Sequence, residues 1–507
     1  MSIANRVVKN TLFLYVRMAV SIVFSFFTTR ILLQSLGESD YGLYNVVAGA
    51  LSMLGFISGS LSSATQRFIS YAEGNGEIQK IKKIFSNAVL IHRFIAVVAV
   101  FIFVISGFFF FNGILNIPSD RNIIAVLVYM CMIFSTVYSI TIVPYEAIIN
   151  AHENMLYYSI LGIVDATLKL IIAILVYNSS FDHLLFYAIM MALESWMFRT
   201  FTVVYCKKHY REVNDLSIKE NYNKDVIIQM SSYTGWNTLN IFSGMVCLYG
   251  ISIIVNHYFG TTVNAALGVA TQLSGVLMGL TQNMSKALTP VIVKSEGSGD
   301  RYKMRHLSLV GCRFSYLVFC FVCLPICFSL NSILLIWLKQ VPHFTYEFCL
   351  IMLLSELIEQ MYLILSHSIS AEGNIKGYCI CRSIVNLVSL PVIIFLFEMN
   401  CPPTISWMVR FVTYILLGGI ITVYYSKKNI GLEIKEYTKK VIFPCIVYTI
   451  VSVCCFVTIR HFCEESIFVL FTMYALSLLL IWIAGLKKDE RNMIMSYISS
   501  KCKKIKL

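Results

Sequence analysis

Glu73-Gly74-Asn75-Gly76-Glu77 returns 223 residues later as Glu296-Gly297-Ser298-Gly299-Asp300. The same shift carries Gly37 onto Gly260, Ala64 onto Ala287, Ile69 onto Ile292 and Lys80 onto Lys303. A shift of 220 carries Ala151-His152-Glu153-Asn154 onto Ala371-Glu372-Gly373-Asn374. Chance supplies scattered identities; it does not supply them at the matching turns of two hairpins. The chain therefore repeats itself, and each polar turn lies between apolar stretches.

Working outward from these turns gives fourteen apolar segments, near 11–33, 43–63, 85–111, 122–143, 157–177, 183–205, 227–256, 263–289, 308–330, 346–366, 379–398, 404–425, 441–459 and 467–486. About 20 residues of helix cross a ~30 Å hydrocarbon layer, and most segments are that long. Composition agrees: 58% of the 507 residues are hydrophobic and 13% charged, roughly half the charge a soluble domain uses to cover itself. The fold class is an all-α integral membrane protein of about fourteen transmembrane helices. The first apolar stretch is too long for the core of a cleaved signal, and no small-residue cleavage site follows it.

Lys and Arg set the orientation. With the N-terminus in the cytoplasm, inner loops and tails hold 28 of the 40, outer loops hold Arg121, Lys339 and Arg460, and nine lie within segments. The positive-inside rule then places both termini in the cytoplasm. Six helices separate the copies, an even number, so the halves enter the membrane in parallel and a substrate site is expected between the lobes. The expected organisation is one six-helix lobe over 1–225, a second over 226–430, and two further helices with a basic tail over 431–507. The net charge of +13 is dispersed over many short loops, so topology explains it and nucleic acid is not an expected partner.

Asn10–Leu33, followed by Leu36-Gly37-Glu38-Ser39-Asp40-Tyr41-Gly42-Leu43-Tyr44, resembles the opening of the polysaccharide flippases. These form the Wzx-like branch of the multidrug/oligosaccharidyl-lipid/polysaccharide exporter superfamily. Ala64-Thr65-Gln66-Arg67-Phe68-Ile69 leading into Glu73-Gly74-Asn75-Gly76 is similar to that family's first inner loop. Phe259-Gly260 through Ala265-Ala266, then Ala287–Pro290, resembles the corresponding turn of the second lobe. The likeness covers essentially the whole chain. It implies a transporter in the bacterial cytoplasmic (inner) membrane. Such a protein moves undecaprenyl-pyrophosphate-linked oligosaccharide, as for O-antigen or lipopolysaccharide, to the outer leaflet by alternating access. It also implies H⁺ or Na⁺ coupling in some members, and polysaccharide polymerase and chain-length proteins as partners.

A charge inside a spanning segment costs several kcal/mol unless hydrated or paired, and so marks a candidate site. Arg17, Arg93, Arg199, Lys286 and Arg313 fall in the cytoplasmic third of their helices, where a pyrophosphate could take paired hydrogen bonds from a guanidinium; snorkelling to the headgroups competes. In the resembled family, the helices of Arg17 and Lys286 line the central cavity. Arg30 and Arg410 sit in the outer third, where outward snorkelling is favoured. The cationic candidates are Arg17, Arg30, Lys286 and Arg313. Asp165 and Lys169, at i and i+4, share a helix face and neutralise each other. Glu194 lies mid-helix with Arg199 about 140° away around the helix. Glu356, Glu359 and Gln360 share one face of the tenth segment. Asp165, Lys169, Glu194, Glu356 and Glu359 are the candidates for ion coupling or polar lining. Pro325 and Pro391 are candidates for helix kinks.

No Walker-type glycine-rich loop, His-Glu-x-x-His or nucleophile elbow is present in the sequence, so no catalytic residue or cofactor is assigned. The sixteen cysteines lie mostly in apolar stretches, and Cys379-Ile380-Cys381 lacks the second pair a zinc site needs. A multidrug exporter of the same fold is the second functional class. A membrane-embedded polysaccharide polymerase or ligase is the third, and it generally needs a larger outer loop than this chain has.

Overall fold

The computed structural model describes residues 3–52, 55–111, 121–214, 221–463, 467–485, 490 and 491. The basic tail Lys501–Lys506 lies outside them. Every element among the described residues is helical. The solvent dictates this: hydrocarbon offers no hydrogen-bond partner, so a spanning segment must satisfy its own backbone.

Two compact units divide the chain near Thr238 and Leu239. The first contains α1 (Ile3–Ser52), α2 (Gly55–Gly74), α3 (Ile78–Phe109), α4 (Asn122–Ala151), α5 (Met155–Tyr177), α6 (His183–His209) and the short α7 (Arg211–Asn214). The long α8 (Lys224–Gly297) carries the chain into the second. There follow α9 (Arg301–Phe328), α10 (Leu330–Leu338), α11 (Thr345–Glu359), α12 (Leu363–Glu372), α13 (Lys376–Glu398), α14 (Ile405–Arg410), α15 (Gly418–Ile430), α16 (Ile434–Tyr437), α17 (Phe443–Phe462) and α18 (Ile467–Leu480). Phe411–Leu417, Thr438–Ile442 and Ile481–Gly485 are π-helical.

Among the described residues, ten helices are long and apolar enough to cross a membrane, or eleven if the bent pair α11 and α12 counts as one. The 74-residue α8 enters that tally once although it holds two of the apolar segments. Straight, it would run about 110 Å, far more than one bilayer. It is broken at Gly260, φ 80°. α1 breaks likewise at Gly37, φ 72°.

The internal repeat is thus written in the backbone. Gly37 and Gly260 adopt the same left-handed break, and Gly76 and Gly299 do the same at φ 71° and 77°. The 220-residue shift pairs Glu153 at φ 57° with Gly373 at φ 106°. L-residues avoid this region, so three coincident positions reflect a shared fold.

Phe103, Val128, Tyr129, Ile172 and Leu184 pack together in the first unit, and Phe85, Ala88, Ile148 and Cys206 form a second cluster further along the same helices. In the second unit α9 is the most enclosed of the candidate spans, 67% buried over its apolar window, whereas the first span in α1 is only 6% buried. α13 continues unbroken through Pro391, and Pro325 lies in the last turn of α9. The tenth apolar segment, expected as one helix, is two helices meeting at 44°. The break falls at Gln360–Tyr362, where backbone bonds tighten to Met361 N to Ile358 O and Tyr362 N to Glu359 O, both 3.1 Å.

Candidate functional site

α5 and α6 build the first polar cluster. One helical turn separates Asp165 from Lys169, and Lys169 Nζ donates to Asp165 Oδ2 at 2.8 Å. α6 brings Glu194 against this pair, with one carboxylate oxygen lacking any hydrogen-bond partner. Arg199 does not pair with Glu194 by hydrogen bond; it donates to the Ser195 carbonyl at 3.2 Å and to the Ser195 hydroxyl. All four charged residues line one cavity of about 430 Å³, whose walls include Tyr44, Ser135 and Ser139. Two facing carboxylates can hold a proton or a small cation, and the two cations beside them can hold an anion.

Arg17 occupies a separate place on α1. Its guanidinium lies 4.5 Å from the centre of the Tyr158 ring. It fills the notch left by Gly162, where a Cβ would overlap Nε. Arg30 is exposed further along the same helix.

Lys286 and Arg313 belong to the second unit. Lys286 is half-buried on α8. Arg313 is 2% exposed and paired with Glu490, with one further contact to the Phe314 ring.

A second buried polar cluster forms where α11 breaks. Glu356 and Glu359 face each other there. Arg382 of α13 approaches Glu359 at 4.0 Å, donates to the Tyr414 carbonyl at 3.1 Å and lies 4.1 Å over the Tyr414 ring. Arg410 does not snorkel outward as expected. It is buried, 4.6 Å over the other reach of Tyr414 and 5.2 Å from Trp407, and donates to Cys247 Sγ at 3.2 Å. Aromatic faces, not headgroup water, take its charge. Arg382 was not among the sequence candidates. Ser315 donates to Gln360 Oε1 at 2.8 Å, while Glu356 Oε2 and Arg382 Nε have no hydrogen-bond partner. Among the described residues, no three His, Cys, Asp or Glu side chains gather to hold a metal.

Beyond the spans, the turn after α4 carries an ion triad. His152 Nε2 donates to Glu212 Oε1 at 2.6 Å and Nδ1 to Glu73 Oε1 at 3.3 Å, while the ring stacks on Tyr210 at 4.5 Å. Burial alone would push the imidazolium down; the two carboxylates outweigh it and raise His152 to about 9. The His152 hydrogen bond holds Glu212 below the usual carboxylate range. A histidine raised in the folded state contributes stability that is complete below its unfolded value near 6.5 and fades as pH rises through about 9. Thermal melting of the detergent-solubilised protein is therefore expected to fall between pH 7 and 10, and His152→Gln is expected to flatten that fall. A melting temperature with the same pH slope in both proteins would contradict it.

The sequence model of the family described as "Polysaccharide biosynthesis protein" matches residues 7–296, more than half of the chain. The chain belongs to this family. The MatE family model also matches, over residues 240–395. No curated protein matches the chain. Among solved structures, the chain is similar to an outward-facing multidrug resistance MATE family transporter of the MOP superfamily, with a TM-score of 0.72 and 11% identity over 85% of this chain and 96% of that one. It is similar to a MOP superfamily transporter from Pyrococcus furiosus, reported with a binding pocket of reversed polarity, at TM-score 0.71 and 11% identity over 85% and 96%. A Vibrio cholerae MATE transporter gives TM-score 0.71 and 15% identity over 85% and 98%. At such identities the likeness is one of fold. Together with the family matches it gives this member of the polysaccharide biosynthesis family a many-helix membrane fold shared with those transporters.

Proposed function

We propose that the chain flips undecaprenyl-pyrophosphate-linked oligosaccharide repeat units across a bacterial cytoplasmic membrane by alternating access, for surface polysaccharide biosynthesis. The reading keeps both termini cytoplasmic and takes 1–225 and 226–430 as the two lobes, with 431–507 as the added pair. The observation that carries it is α1. Its span is little packed and exposes Phe26 and Phe27, yet it bears Arg17 and Arg30. A wall both apolar and cationic suits a lipid-linked anion. Arg17, held by Tyr158 and Gly162, would meet the pyrophosphate, with Arg30, Lys286 and Arg313 as the further cationic candidates. Asp165, Lys169 and Glu194, and in the second unit Glu356 and Glu359, would handle a coupling H⁺ or Na⁺.

The family match covers more of the chain than the MatE match and favours a glycan substrate over a drug. Deleting the gene is expected to trap lipid-linked repeat units on the cytoplasmic side and abolish surface glycan. Normal glycan in a strain without a redundant homologue would overturn the reading; a multidrug exporter would instead show itself as drug sensitivity with glycan intact.

A further inference from the structure

The second unit carries a cavity of about 800 Å³ that the charged clusters do not use. One wall is a single stripe: Ile415, Leu416, Gly419, Ile420, Val423, Tyr424, Lys427 and Lys428 recur at helical spacing. The facing wall is Ile434, Tyr437, Thr438 and Ile442. The polar groups along the apolar part are spent on backbone: Tyr362 OH donates to the Ile415 carbonyl at 3.0 Å and Tyr437 OH to the Met361 carbonyl at 3.2 Å. Ile420, Tyr424 and Ile434 remain exposed, as do Lys427 and Lys428 in the last turn of α15. The groove is therefore apolar along its length and cationic at one end.

Two of the π-helical stretches, Phe411–Leu417 and Thr438–Ile442, border this groove. Such turns are rare and concentrate at functional sites. From Ile415 to Lys428 the stripe climbs about 20 Å at 1.5 Å per residue. That is about half of the ~40–45 Å bilayer counted with its headgroups. The chain turns at Gly431 just beyond the lysines. On the topology expected from the loop charges, the cationic end falls at the level of the cytoplasmic headgroups and the apolar end near the bilayer centre.

We propose that this groove seats one anionic glycerophospholipid of the surrounding bilayer, its phosphate on Lys427 and Lys428 and its acyl chains along Ile420 and Ile415. A long polyisoprenoid would outrun a groove one leaflet deep. Charge complementarity selects an anionic headgroup over a zwitterionic one.

Native mass spectrometry of the full chain in detergent, offered phosphatidylglycerol and phosphatidylethanolamine of the same acyl composition, tests this. The unaltered protein is expected to retain the anionic lipid in about thirtyfold preference, the factor two surface lysines supply. K427Q/K428Q is expected to lose the preference, and Val423→Trp, which fills the groove, to retain neither lipid. K207Q/K208Q, a lysine pair in the last turn of α6, is expected to keep the full preference. Equal retention of both lipids by the unaltered protein overturns the proposal, whatever becomes of the variants. So does a preference untouched in K427Q/K428Q, an equal loss in K207Q/K208Q, or displacement of phosphatidylglycerol by a polyprenyl pyrophosphate.

Discussion

Exchanging Arg382 for alanine is expected to cost about 3–5 kcal/mol of stability, the toll of leaving one member of a buried ion pair alone. Arg382 and Glu359 are 5% and 6% exposed, and their charged groups are 4.0 Å apart. The guanidinium also satisfies the Tyr414 carbonyl, which lies within the π-helical stretch Phe411–Leu417. Removing it strands the Glu359 carboxylate and an acceptor in a place water does not reach. Gly418 sits so close that a Cβ there would overlap Arg382 Nη1. Thermal unfolding in detergent of R382A, E359A and the double variant would read the effect. The double variant is expected to lose less than the sum of the two, because the stranded charge is gone. Wild-type melting in R382A would remove the pair from the account of this unit.

If the protein acts as the proposed flippase, Gly162→Ala is expected to reduce flipping about 10- to 100-fold, the worth of one hydrogen bond to a charged group, with little loss of stability. A Cβ at this position meets only the far end of Arg17, which is half-buried and can swing away. The substitution therefore moves a guanidinium without emptying a core. Its effect should match Arg17→Ala, and Arg17→Lys should rescue only in part, since an ammonium cannot offer the planar pair of donors. A reconstituted flipping assay decides it. Full activity in G162A beside an inactive R17A would show that Gly162 does not position the arginine. Full activity in both would remove Arg17 from the site.

Helix class and the repeat were legible because both are written in short-range pattern: apolar length for the spans, glycine position for the breaks at Gly37 and Gly260. The Asp165–Lys169 pair was legible for the same reason, since i and i+4 fix a shared face. Glu194 joining that pair was not, because it depends on how α5 meets α6. Arg382 was passed over since it lies near the polar end of its segment and looks like a rim residue. Arg410 was expected at the headgroups, although Trp407 and Tyr414, three and four residues away on its own face, were already the aromatic surfaces that receive it. The helix break after Glu359 has no glycine or proline to announce it; Gln360 Nε2 donates to the Glu356 carbonyl and Tyr437 OH to the Met361 carbonyl there instead.

The turn pair is unequal, Glu153 at φ 57° against Gly373 at φ 106°. A non-glycine residue in that region costs about 1–3 kcal/mol, so the second copy holds the residue its backbone favours and the first does not. The copy without glycine is the one whose neighbour, His152, binds Glu73 and Glu212. Its counterpart in the other half is Glu372, which accepts from Asn429 at 3.3 Å and from the Asn374 backbone at 3.0 Å. Equivalent turns thus serve different ends: one sits at conformational ease, while the other carries an ion triad on an uncomfortable backbone.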